Sequence, residues 1–203
     1  MKPYYDRDGI QIFLGDCLEI MPQLDRKFDL ILTDPPYGIG IASNPFRQKY
    51  IKSEWDNVPA SPELIQKCIS MGTNQIIWGG NYFNLPPTQR FLIWDKKQPE
   101  SFSSAMCEMA WTSLEGPAKI YREWVVGIDK FHPTTKPTGL FKWCISFVPE
   151  TVTILDPFLG SGTTLVAAAE LHRQAVGIEI EERYVEIAAK RIERVLNQGE
   201  LFT

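Results

Sequence analysis

The stretch 151–180, TVTILDPFLGSGTTLVAAAELHRQAVGIEI, constrains the fold more than any other part of the chain. An apolar, β-branched run predicts a strand that ends at Asp156. Gly160-Ser161-Gly162 then turns the chain into an Ala-rich helix over 163–172, and QAVGIEI predicts a second strand with Glu179 near its end. A strand, a tight glycine turn, a helix and another strand at this spacing form a βαβ unit, whose strands lie parallel. Glycines in such a turn let the backbone come close to a ligand, and the helix N-terminus offers unpaired N–H groups. An acidic side chain at the end of the second strand suits a ribose diol. Nucleoside-cofactor binding is therefore the expectation, with a plain tight turn as the alternative. A phosphate-binding P-loop is excluded because no Gly-Lys-Ser/Thr follows the glycines. A dinucleotide fingerprint would have a third glycine where this chain has Thr164 or Leu165.

The same alternation extends upstream. Strands are expected at 10–13, 28–33, 75–78 and 90–94. Helices are expected from Asp16, from Ser61 to about Met71, over 138–147 and over 181–197. Residues 105–113 and 118–126 are expected to pair as antiparallel strands. The whole reads as one α/β domain over 1–203, and 38–59 is a polar loop too long to be a plain connection. No apolar run approaches 18 residues, and MKPYYDRDGIQ lacks an apolar stretch with a cleavage site. Neither a membrane span nor a secretory signal is expected. The scattered cysteines Cys17, Cys68, Cys107 and Cys144 read as buried thiols, and two histidines far from them argue against structural zinc. Trp78, Trp94, Trp111, Trp124 and Trp143 are expected in the core.

The second chemical signal is Asp34-Pro35-Pro36-Tyr37, at the end of a buried strand, where open α/β sheets place their sites. An exocyclic amine on a nucleobase is a poor nucleophile because its lone pair is delocalised into the ring. Asp34 can accept one amine hydrogen and a backbone carbonyl fixed by the prolines can accept the other. The two bonds favour the pyramidal nitrogen of the transition state. Tyr37 can stack on an extruded base.

Asp34 to Gly38 (DPPYG) and Asp156 to Thr164 (DPFLGSGTT) together resemble the two diagnostic motifs of the DNA amino-methyltransferase family. The catalytic motif precedes the glycine motif, a circularly permuted order that is similar to the beta subgroup. Further likenesses are Gly15-Asp16 before a helix, HPTTKP at 132–137, and GIEIEERY at 177–184, so the resemblance covers nearly the whole length. It implies a Rossmann-like S-adenosylmethionine-dependent methyltransferase fold with a mostly parallel central sheet, an antiparallel edge hairpin and helices on both faces. It also implies a catalytic set of Asp34, Pro35, Pro36 and Tyr37. The implied cofactor site comprises Asp16, Asp156, Phe158, Gly160, Ser161, Gly162, Thr163, Thr164, Glu179, His132 and Lys136. Asp in the first motif position leans to adenine N6, with cytosine N4 as the nearest alternative. Two features depart from the family: the interval between the motifs is short, and Thr135 stands where Gln is common.

A formal net charge of −4 weighs against a uniformly basic nucleic-acid binder, but bases collect in the middle of the chain. With no separate recognition region in view, the 38–59 loop is expected to serve target recognition or as a lid. Arg47, Lys49 and Lys52 suit phosphates, Asn44 and Gln48 base edges, and Trp55 a nucleotide ring. The resemblance implies double-stranded DNA as substrate, a homodimer, a companion restriction nuclease and a cytoplasmic location in a bacterial, archaeal or phage-infected cell. RNA methylation and a non-catalytic nucleic-acid-binding protein are the remaining readings. Loss of Asp34, Tyr37 or the glycines would mark the latter, and all are intact.

Overall fold

A computed structural model describes residues 1–38, 58–101, 105–124 and 136–200. Among the described residues, nine strands form one sheet: β1 (Tyr5–Arg7), β2 (Ile10–Leu14), β3 (Phe28–Thr33), β4 (Gly72–Trp78), β5 (Phe91–Asp95), β6 (Cys107–Thr112), β7 (Lys119–Arg122), β8 (Thr153–Asp156) and β9 (Gln174–Glu179). Their order is β1-β2-β9-β8-β3-β4-β6-β5-β7. The run from β2 to β4 is parallel throughout, and only β1 and β6 point the other way. The helices are α1 (Cys17–Ile20), α2 (Pro62–Ser70), α3 (Thr138–Ile145), α4 (Thr163–Glu170) and α5 (Glu182–Glu200).

Strand alternation decides which helix goes where. Leu30, Leu32, Ile154 and Ala175 face α3, α4 and α5, while their neighbours Ile31, Leu155 and Val176 face α1 and α2. Both faces of β3, β8 and β9 are thus covered, which is why these strands are almost continuously apolar. The crossover β3–α2–β4 lies on one face and β8–α4–β9 on the other. The connections therefore diverge at the boundary between the neighbouring strands β3 and β8. At such a boundary the chain ends of a parallel sheet leave a crevice. Asp34 and Asp156 sit at the carboxyl ends of these two strands.

The edge hairpin exists, but not where the sequence placed it. Residues 107–112 and 119–122 do not pair with each other: β5 lies between them, antiparallel to β6 and parallel to β7. The tight hairpin is β1–β2, turning through Asp8 (φ 49°) and Gly9 (φ 80°). That Asp-Gly pair supplies two left-handed residues, the conformation a two-residue hairpin loop needs. Tyr5 and Arg7 then reach Glu193 of α5 at 2.8 and 2.6 Å, fastening the hairpin to the terminal helix.

Two core expectations are corrected. Trp124 is about half exposed, because it lies beyond the end of the edge strand β7. Cys107 is exposed at the start of β6, whereas Cys17, Cys68 and Cys144 are buried. Among the described residues, no helix is long and apolar enough to cross a membrane.

Candidate active site

The crevice between β3 and β8 opens into a cavity of about 400 Å³. Its wall carries Asp16, Asp156, Phe158, Gly160, Ser161, Thr163, Thr164, Glu179 and Lys136 together with Asp34 and Pro36. Most of the expected cofactor residues and the expected catalytic carboxylate therefore border one space. Gly162 does not line it. A Cβ there would lie 2.6 Å from Cβ of Ala188, and its φ is 87°, so this glycine lets the turn pack against α5. Gly160, at φ 53°, has open space where its side chain would be. The two glycines thus differ: Gly160 leaves open space beside the turn, and Gly162 lets the turn pack against a helix.

The turn is tied down from three sides. Glu179 accepts from the N–H groups of Gly160 at 2.7 Å and Glu181 at 2.9 Å. Arg191 of α5 donates to the Ser161 carbonyl at 2.5 Å. Asp156 accepts from Thr33 at 2.7 Å, from the Phe158 N–H at 3.1 Å and from the Thr164 hydroxyl. Asp16 accepts from the Leu18 N–H at 2.8 Å, so it caps α1 and also lines the cavity. Asp156 and Glu179 hence brace the site through their own hydrogen bonds, a duty that the sequence alone did not separate from ligand contact.

Burial pushes the Asp156 carboxyl up to about 6, against the opposing pull of its Thr164, Thr33 and Phe158 hydrogen bonds. Because the native group holds its proton to higher pH than the unfolded one, its protonation favours the fold. That contribution is complete below about pH 4 and is lost as pH rises through about 6. The stability of the wild type relative to Asp156→Asn should therefore decline across this window by about 3 kcal/mol. Denaturant unfolding at a series of pH values reads it; a flat difference would show that Asp156 does not titrate there.

At the end of β3, Tyr37 donates to one oxygen of Asp34 and Lys136 to the other. The Pro36 carbonyl accepts from the Ala60 N–H at 3.1 Å, and Tyr37 bridges to Pro59. Residues on either side of the 38–59 stretch are thus pinned beside Asp34-Pro35-Pro36-Tyr37. The Tyr37 ring stacks on Tyr82 with centroids 4.9 Å apart and lies against Gly79, where a Cβ would fall 2.0 Å from the ring. Burial pushes the Asp34 carboxyl up and Lys136 pulls it back down. Lys136 is only 5% exposed, so it belongs to this ionic cluster and not to a basic surface. Burial opposes its charge, but Asp34 and Glu108 outweigh that and raise its pKa.

Sequence reasoning missed Tyr82, which has no motif around it, and Glu108. The signal for Glu108 was a lone acid inside the otherwise uncharged strand CEMAWT, though nothing local names its partner. Asn44, Arg47, Gln48, Lys49, Lys52, Trp55 and His132 lie outside the described residues.

A family model described as DNA methylase (N6_N4_Mtase) matches residues 93–190. The chain is 27% identical to the type II methyltransferase M2.MboI of Moraxella bovis, over 96% of this chain and 92% of that protein. It is 28% identical to the putative methylase YubD of Escherichia coli (strain K12), over 91% and 92%. Among solved structures it resembles the M1.HpyAVI–SAM complex, with TM-score 0.62 and 24% identity over 90% of this chain and 98% of that one. It also resembles PvuII DNA methyltransferase (cytosine-N4-specific), with TM-score 0.63 and 14% identity over 97% and 94%. The fold is Rossmann-like and of the methyltransferase type, with a mostly parallel sheet between helical layers.

Proposed function

We infer that the chain belongs to the amino-methyltransferase family of DNA methylases and transfers a methyl group from S-adenosylmethionine to an exocyclic amine of a DNA base, adenine N6 in the first instance. The observation that carries this reading is the shared cavity. A carboxylate suited to an amine and a glycine turn suited to a nucleoside sit on one wall, at the ends of adjacent strands.

The residues present fit the cofactor. Gly160 leaves open space at the turn, and α4 starts beside it with buried Thr163 and Thr164. Glu179 stands where a ribose diol is bound in nucleoside folds. When bound, the cofactor supplies an already activated methyl on a sulfonium, so no nucleophile on the protein is required. Asp34 keeps acceptor capacity for an amine hydrogen, because a carboxylate has about four lone-pair sites and two are engaged. Pro36 lines the cavity, and its carbonyl, which accepts one bond from Ala60, keeps a second lone pair for the other amine hydrogen. These bonds would strengthen as the nitrogen becomes pyramidal and positive, its N–C bond forming as the donor's S–C bond breaks, and the surplus amine proton would leave through Asp34 to water. Tyr37, half-buried on the turn, offers its ring to the base.

The reading is tested by incubating the protein with methyl-labelled S-adenosylmethionine and unmethylated genomic DNA, then digesting to nucleosides. Label in N6-methyl-2′-deoxyadenosine is the expected result. Label only in N4-methylcytosine would overturn the choice of base. No label in DNA with the cofactor demonstrably bound, or label only in a parallel incubation with total cellular RNA, would overturn DNA methylation.

A further inference from the structure

Four charges of alternating sign run inward from the sheet to the catalytic motif. Lys96, just past β5, meets Oε1 of Glu108 at 2.6 Å; Oε2 of Glu108 meets Lys136 at 3.1 Å; and Lys136 meets Asp34. Lys136 also lies 3.3 Å from the Tyr37 hydroxyl. The chain joins residues from β5, β6, the approach to α3 and the end of β3, so the sheet order itself assembles it. An isolated buried ammonium beside a single carboxylate would bind that carboxylate alone. Here Lys136 is shared, and a carboxylate whose cation is shared remains a better acceptor for a third group.

We propose that Glu108 is a positioning residue for methyl transfer: by sharing Lys136 with Asp34, it sets how tightly the catalytic carboxylate is gripped and therefore how well it accepts the target amine's hydrogen. This rests on the amino-methyltransferase reading above. The direction of the electrostatics agrees. Burial works against the Glu108 carboxylate, yet Lys136 and Lys96 hold it down at about 2, so it is charged throughout the working range. Its charge pushes Asp34 up while Lys136 pulls Asp34 down. The other titratable groups facing this cluster are Tyr37 against Asp34, Tyr82 against Tyr37, Asp156 from β8 and Cys144 from α3.

Removing the Glu108 charge should leave Lys136 to Asp34 alone. In Glu108→Gln the Asp34 carboxyl should titrate at lower pH than in the wild type, and the acid limb of the single-turnover methylation rate should move down with it. The plateau rate should fall about tenfold, a change of about 1.4 kcal/mol, with cofactor affinity unchanged. Lys136→Met should move the Asp34 titration the other way, and Glu108→Asp, which keeps the charge, should restore the wild-type midpoint. The titration is read from the ¹³C carboxyl resonance of Asp34 in cofactor-free protein, assigned by its loss in Asp34→Asn. Should Glu108→Gln not fold, Lys96→Met carries the test with the opposite sign, since a less neutralised Glu108 pushes Asp34 up. An unchanged Asp34 midpoint in a folded Glu108→Gln or Lys96→Met protein overturns the proposal. So does an unchanged plateau rate and acid limb. Because the resonance needs neither cofactor nor DNA, it judges the link between Glu108 and Asp34 even if no nucleic acid is methylated, and that separate outcome would sink the functional reading instead.

Discussion

Asp34→Asn should lower the single-turnover methylation rate by about 10²–10³-fold, roughly 2.7–4 kcal/mol, the range seen when one preorganised group aimed at developing charge is removed. An amide in place of the carboxylate keeps the shape but offers a neutral acceptor to a nitrogen that becomes positive. The protein should still fold. Loss of one member of a buried ion pair is damaging when it strands the other charge, but Lys136 retains Glu108 at 3.1 Å. The cofactor dissociation constant should rise by less than about tenfold, 1.4 kcal/mol. Some rise is expected, because Asp34 borders the same cavity as Glu179 and Gly160 and its negative charge favours a sulfonium. The measurement is a paired one: single-turnover methylation of DNA and a calorimetric cofactor isotherm on the same preparation. A variant that methylates within about tenfold of the wild type would remove Asp34 from the chemistry.

The features legible in the sequence were those written in short range. β3 is bounded by the pair of prolines that follows Asp34, so its end could be read to the residue. α2 carries its own start signal in Ser61-Pro62, and the structure shows Ser61 accepting from Leu64 at 3.2 Å. The turn at Gly160 to Gly162 is likewise local. What escaped reading was long-range pairing. The order β6-β5-β7 places a strand between two that are nearer each other in sequence than either is to its other candidates. No alternation pattern encodes which neighbour a half-buried strand chooses. The same reason hid the ionic cluster: Glu108 on β6 and Lys136 before α3 lie 3.1 Å apart though far apart in sequence. A lysine before a proline reads as solvated, and only the packing of α3 against the sheet shows it buried. The contact between Gly162 and α5 was hidden for a subtler cause. A glycine beside open space and one packed on a helix look alike in a G-x-G turn, and only the closeness of Ala188 in the fold tells them apart.

Glu179→Ala should raise the cofactor dissociation constant about ten- to hundredfold, because a hydrogen bond to a charged partner is worth about 1.5–3 kcal/mol. Two physical routes lead to that number. In one, the carboxylate binds the ribose diol directly. In the other, it acts only through the backbone, since it accepts from Gly160 at 2.7 Å and Glu181 at 2.9 Å and its loss would loosen the turn. Affinity for the intact cofactor falls by either route, so a single isotherm does not separate them. A cycle with cofactor analogues lacking one ribose hydroxyl does. Direct contact requires that the wild type discriminate against the deoxy analogues and that Glu179→Ala bind them as well as the intact cofactor. A purely structural role requires the same discrimination in both proteins, with all ligands weakened equally. The half-buried placement of Glu179 on the cavity wall leaves its carboxylate able to do both. Its two protein hydrogen bonds hold the oxygens in place, which lowers the ordering cost of accepting from a diol. The expected result is accordingly a coupling of about 1 kcal/mol or more between the side chain and the ribose hydroxyl. Coupling near zero, together with slower-protected amide exchange lost at Gly160 and Glu181, would assign Glu179 to bracing the turn and leave the diol to Asp16 or the cavity's backbone groups.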